Sequence, residues 1–158
     1  MPATPPRPPK VDDAAAGRGE RGRRGEAAAQ ALLERHAYRI VDANVRFGRT
    51  SGLIGELDIV AWDGPTLCFV EVKTRRAASS ARHRVFPVEN VTPAKQRQIA
   101  RLALAYAMRH GLLDDDAAGE IPLRFDVVAV TLHPDGETVR DARLLRGAFF
   151  APEDLETG

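Results

Sequence analysis

Gly55 to Arg75 reads GELDIVAWDGPTLCFVEVKTR. Two apolar stretches, Ile59 to Trp62 and Leu67 to Val72, flank the punctuating turn Asp63-Gly64-Pro65, which predicts a hairpin of two strands. Both stretches are apolar on both faces, the pattern of strands inside a sheet. Glu56, Asp58, Glu71 and Lys73 interrupt that pattern, and ionised groups in such a place need partners or a metal. With a loop over Asp63 to Thr66, Trp62 faces Leu67. Asp58 then falls opposite Glu71, and Glu56 opposite Lys73, with both pairs on one face.

Two carboxylates and an ammonium on one patch suit a hard divalent cation, Mg2+ or Mn2+, which takes oxygen ligands and keeps several waters. A neighbouring lysine can orient a water or offset phosphate charge, so the chemistry suggested is metal-assisted phosphodiester hydrolysis. Spacing alone says little. With each charged type at roughly 6% of positions and about fifteen strand spacings allowed, such a triplet arises by chance in about half of chains this long. The weight lies in the charges being set within apolar strands; the competing reading is a salt-bridged hairpin at a sheet edge.

An Asp followed by Glu-x-Lys on the next strand resembles the PD-(D/E)xK nuclease superfamily, the restriction-endonuclease-like fold. More narrowly, Asn44, Gly55-Glu56-Leu57-Asp58-Ile59 and Phe69-Val70-Glu71-Val72-Lys73-Thr74-Arg75 resemble the YraN family, also called UPF0102, over about Gly22 to Phe150. Members are similar in fold to archaeal Holliday-junction resolvases. The resemblance implies an α/β domain with a central mixed β-sheet flanked by helices, and a nuclease in which Asp58 and Glu71 bind metal with help from the Val72 carbonyl. Lys73 would position the attacking water, and Glu56 would stand behind these or pair with Lys73. The family carries a Glu on the first helix near the metal, which makes Glu26 a candidate third carboxylate. It also carries a Lys at the position of Lys95. The substrate implied is nucleic acid, with DNA and branched DNA foremost, and a resolvase-like fold implies a two-fold dimer. The family's usual Phe-Gly is replaced by Phe86-Pro87. Two other classes stay open: a non-catalytic nucleic-acid-binding protein on an endonuclease-like fold, and an interaction protein whose charges only hold the sheet together.

At 158 residues the chain fits one domain plus a tail. No stretch approaches the roughly 18 to 20 apolar residues of a membrane span, and the N-terminus lacks the apolar core of a signal peptide. The single cysteine, Cys68, lies in a core strand, which excludes a disulfide framework and favours a small buried apolar role; a reducing cytoplasm is the expected compartment. The net charge of +1 hides an asymmetry. Residues 1–110 hold 19 Lys or Arg against 11 Asp or Glu, residues 111–158 only 4 against 11, so the motif lies in the basic part. A basic surface around a carboxylate site suits a polyanion. Arg46, Arg49, Arg75, Arg76 and Lys95 are the candidate nucleic-acid contacts, with solvated side chains as the bland alternative.

Residues 1–21, rich in Pro, Gly, Ala and Arg, predict a disordered tail; 22–150 the endonuclease-like domain; and 151–158 a C-terminal tail. Gly25 to His36 predicts a helix, with Ala29, Leu32 and Leu33 facing the core. Glu26 in its first turn is explained either by the helix dipole or by a place near the site. Tyr38 to Phe47 predicts a strand, and Asn44 either forms a turn or contacts the site. The polar segment after Arg76 holds His83, more often an exposed loop residue than a catalytic one. Thr92, Pro93 and Gly111 mark the cap, first position and end of a second helix, with Ile99, Leu102, Ala103, Tyr106 and Ala107 as its buried stripe. Lys95 on that helix either contacts the site or reaches solvent. Leu112 to Glu120 is an acidic loop. Leu123 to Leu132 predicts a strand parallel to the second hairpin strand, in which Asp126 pairs with Arg124 in preference to binding metal. A short antiparallel strand near Ala142 to Leu145 closes the sheet, with Phe149 and Phe150 covering it.

Overall fold

The computed structural model describes residues 13–48, 50, 52–78, 91–113 and 119–153, with side chains of the first helix from residue 19 onward. In chain order these form α1 (Asp13–Arg35), β1 (Arg39–Phe47), β2 (Gly55–Asp63), β3 (Thr66–Arg76), α2 (Pro93–Arg109), β4 (Leu123–Leu132) and β5 (Val139–Phe149). The sheet runs β1-β2-β3-β4-β5, and only the β3–β4 pair is parallel. A parallel neighbour requires a crossover, and α2 supplies it. This is an α/β domain with a five-stranded mixed sheet flanked by two helices, consistent with a restriction-endonuclease-like fold.

Each helix covers one face because the strands alternate. Leu67, Phe69, Phe125 and Val127 pack with Ile99, Leu102, Ala103 and Tyr106 of α2. Cys68, Val70, Val128 and Val130 pack with Ala29, Leu32 and Leu33 of α1. The α2 boundaries match the expectation: the Thr92 side chain accepts from the Lys95 amide at 3.2 Å, Pro93 opens the helix, and Gly111 takes a φ of 62° beyond its end. Cys68 is fully buried, and burial pushes its thiol up to about 12, as a core role requires.

Four expectations are corrected. The hairpin loop is tighter than Asp63 to Thr66: those two residues pair, and only Gly64 and Pro65 turn. Gly64 takes a φ of 57° and Pro65 follows at its fixed negative φ, the combination of a type II′ turn, and the Trp62–Leu67 register is unchanged. α1 begins at Asp13, so residues 13–21, read as disordered tail, extend the helix, while residues 1–12 lie outside those described. Helix propagation from a packed segment is cheap once nucleated, and the Glu20–Arg24 pair at 2.6 Å adds support one turn apart. β5 runs from Val139 to Phe149, longer than expected. Finally, Phe149 is buried and stacks on Phe125 at 5.0 Å, whereas Phe150 is 87% exposed and covers nothing. Arg49, His83, Phe86, Pro87, residues 114–118 and residues 154–158 lie outside the described residues.

Candidate metal centre at the fork of two strands

Pairing of β2 with β3 runs from Asp63–Thr66 to Ile59–Val70 and stops there. At the next rung a side chain replaces the backbone: the Val72 N–H donates to Asp58 Oδ2 at 2.8 Å. Along β2 the face alternation slips at the same place. Leu57 and Val60 both pack on the α2 side, while Ile59 and Ala61 pack on the α1 side. In a regular strand residues on one face lie an even number of steps apart, whereas Leu57 and Val60 are three apart. The slip turns Asp58 toward α1 and opens a fork between the strands.

α1 closes on that fork through a missing side chain. A Cβ on Gly25 would lie 1.7 Å from Thr74 Oγ1, so only glycine lets the helix backbone come this near β3. Glu26 follows immediately. Ligand oxygens of Glu26, Glu56 and Asp58 all lie within 4.8 Å of one another. Glu26 is therefore mid-helix beside the other acids, and a first-turn dipole role is ruled out. Asn44, with the left-handed φ of 52°, hydrogen-bonds the Glu26 side chain, which answers the choice left open for it in favour of a site contact. Glu71 is nearly buried beside Asp58, and its Oε1 is flanked by Lys73 Nζ at 3.6 Å and Lys95 Nζ at 3.8 Å. A cavity of about 390 Å³ joins Glu26, Asp58, Glu71 and Lys73 to Arg21, Gly22, Val72 and Thr74.

The electrostatics follow from this crowding. Burial first, and then the charge of the adjacent Glu71, push the Asp58 carboxyl up to about 7 against the opposing pull of the Val72 amide and Lys95. Burial also raises the Glu26 carboxyl; the Asn44 hydrogen bond opposes this, and the charges of Asp58 and Glu56 add to it. An all-oxygen donor set short of positive charge fits a hard divalent cation, and the described residues of the cluster include no sulfur or imidazole ligand.

The remaining expected residues divide. Glu56 does not pair with Lys73, because the strands have parted; Arg46 Nε donates to Glu56 Oε2 at 3.0 Å, while the Arg46 side chain stays largely exposed. Arg75 is partly buried on β3. Arg76 donates through Nε to the Pro134 carbonyl, which ties it to the β4–β5 turn. Asp126 is the structural acid expected: Arg124 reaches it through Nε at 2.8 Å and Nη2 at 3.0 Å, Tyr38 through its hydroxyl at 2.8 Å, and Gly147 through its amide at 2.8 Å. Gly25 and Thr74 were missed by sequence reasoning, and Arg21, in a run of arginines able to touch phosphate or to form only a soluble tail, lines the cavity. Extending the helix backward through Arg21 and Gly22 would have placed Gly22 one turn before Glu26 on the same face, with Arg21 next to it.

The profile of "Uncharacterised protein family UPF0102" matches residues 25–130, a span that includes Glu26, Glu56, Asp58, Glu71, Lys73 and Lys95. The chain belongs to this family. A UPF0102 protein of Geobacter sulfurreducens is 50% identical over 119 residues, covering 75% of this chain and 81% of its own length. Another from Symbiobacterium thermophilum is 45% identical over 130 residues, covering 82% and 96%. A third, from Chlorobium phaeobacteroides, is 42% identical over 112 residues, covering 71% and 77%. Among the described residues of this UPF0102 chain, no helix is long and apolar enough to cross a membrane.

Proposed function

We propose that the chain is a divalent-metal-dependent nuclease that hydrolyses phosphodiester bonds of nucleic acid, with DNA as the favoured substrate and branched duplexes among its forms. The observation that carries this is the meeting of Glu26, Glu56 and Asp58 within 4.8 Å at a strand fork, with Glu71 and Lys73 beside them. The order Asp58, then Glu71-Val72-Lys73, is similar to the PD-(D/E)xK pattern. Asp58, Glu26, Glu56 and Glu71 would hold Mg2+ or Mn2+, with the Val72 carbonyl as a further oxygen donor. A bound cation supplies polarisation of a phosphoryl oxygen and a more acidic water.

The protein groups do the rest. The Val72 amide holds the Asp58 carboxylate in one orientation. The Lys73 ammonium, a donor only, orients the attacking water or offsets charge on a non-bridging oxygen. Lys95 balances Glu71 from the other side. Water's oxygen bonds to phosphorus as one ester P–O bond breaks, leaving a phosphomonoester and a hydroxyl end.

The test is cleavage of labelled branched duplex, linear duplex and single strands in Mg2+ or Mn2+. Asp58→Asn and Lys73→Ala should each lose about 10²- to 10³-fold in rate, the usual loss when one charge-stabilising group is removed, with unchanged circular dichroism. Full activity in both variants would remove this reading.

A further inference from the structure

Helix α2 carries Lys95, Arg97, Arg101 and Arg109 and no acidic residue. A merely solvated helix face usually mixes both signs. Two of the four cations are engaged: Lys95 with Glu71, and Arg109 over the Phe47 ring at 4.8 Å. Arg97 and Arg101 are exposed, and neither has a hydrogen-bond or ion-pair partner among the described residues. They stand one turn apart, about 6 Å along the axis. Together with Gly52, Ile54 and Gln98 they line a second cavity, of about 340 Å³.

That cavity is fixed to the strand bearing the acids. Gln98 Nε2 donates to the Ile54 carbonyl at 2.9 Å. A Cβ on Gly55 would lie 2.7 Å from Gln98 Nε2 and 2.9 Å from Leu102 Cδ1, so the start of β2 is pressed against α2 at a residue whose φ of 150° favours glycine. Glu56 and Asp58 follow directly. Whatever the two arginines hold is therefore indexed to the carboxylate cluster.

We propose that the Arg97/Arg101 cavity grips the sugar-phosphate backbone of a nucleic-acid duplex and so sets where along it the Asp58 cluster acts. The second half of that statement rests on the nuclease reading; the first half does not. Guanidinium forks match phosphate oxygens. The described lining holds no aromatic side chain on which an unpaired base could stack, which favours a duplex, whose bases face inward, over a single strand. Ile54, 68% exposed, offers an apolar contact to the sugars.

The test is duplex binding by fluorescence anisotropy in EDTA, where metal-dependent cleavage is suppressed, across a range of potassium chloride. Alanine is the best helix former, so Arg97→Ala/Arg101→Ala should keep the fold. Its log–log salt slope should be shallower than wild type by about 1.8, two phosphates at about 0.9 each, with Mn2+ affinity unchanged. The charge-matched control Arg35→Ala/Arg39→Ala, at the end of α1 and the start of β1, where Arg39 pairs with Trp62 of β2, should keep the wild-type slope. Wild-type affinity and slope in the α2 double variant, no wild-type affinity for duplex at low salt, or single strands gripped more tightly than duplex through these arginines would each overturn the proposal. If the slope falls as expected but no substrate is cleaved, the nuclease reading fails while the surface stands. Cleavage by wild type with an unaltered slope in the variant gives the reverse.

Discussion

Asp58 and Asp126 are aspartates set in apolar strands on the side of the sheet that α1 covers, and their surroundings are opposite. Four donor atoms, from Arg124, Tyr38 and the Gly147 amide, meet Asp126. Burial alone would raise its carboxyl, but the Arg124 guanidinium, the Gly147 amide and the Tyr38 hydroxyl outweigh that and hold it below the usual range. Asp58 receives one backbone amide and the pull of Lys95, and is set among Glu26, Glu56 and Glu71. An acid kept for the fold is surrounded by donors; an acid surrounded by acids leaves a charge deficit that a cation can fill.

The same substitution should therefore act with opposite sign at the two places. Asp126→Asn leaves Arg124 without its buried partner, and about 3–5 kcal/mol of stability should go, read from urea midpoints at pH 7. The folded carboxyl lies below its unfolded value, so its contribution is present above an unfolded pKa of about 3.9 and is lost as pH falls through the folded value; the gap between variant and wild type should narrow at pH 3. A loss smaller than that of an ordinary surface substitution would break the comparison.

Asp58→Asn in metal-free protein should instead stabilise by roughly 1–3 kcal/mol at pH 8. Here the folded carboxyl lies above its unfolded value. The penalty for ionising it is absent below about pH 4, grows as pH rises, and is complete above about 7, so the gain should vanish near pH 4. Gly25→Ala should cost about 1–3 kcal/mol and weaken Mn2+ binding in calorimetry, because the Thr74 contact pushes Glu26 away from Asp58. Unchanged metal affinity there would detach Glu26 from the cluster. The smallest effect should come from Lys95→Met, which removes a charge that lowers the Asp58 carboxyl: its NMR titration midpoint should rise by a fraction of a unit while Asp126 stays put.

Much of this was legible in the sequence because it is local. The Asp63–Thr66 hairpin, its register, the Thr92–Pro93 start of α2 and the Arg124–Asp126 pair two residues apart on one strand all follow from short-range pattern. The rest depends on how elements meet. The slip at Asp58–Ile59 reverses no hydrophobic residue in type, so periodicity does not reveal it, and it is the slip that sends Glu56 to Arg46 and Asp58 instead of Lys73. Residues 13–21 look like tail by composition, because their glycines and arginines hide a helix that is propagated from the packed segment behind them. The φ of 52° at Asn44 brings its amide to Glu26, a contact between α1 and β1 that the order of residues alone does not contain.

The most direct measurement is a carbon-detected NMR titration of the side-chain carboxyls with and without Mg2+. Asp58 should titrate near 7 in metal-free protein and its midpoint should fall when Mg2+ is added, while Asp126 remains ionised and unmoved throughout. An Asp58 that titrates in the ordinary carboxylate range and ignores millimolar Mg2+ would mean that the fork is structural and that the two aspartates do the same work.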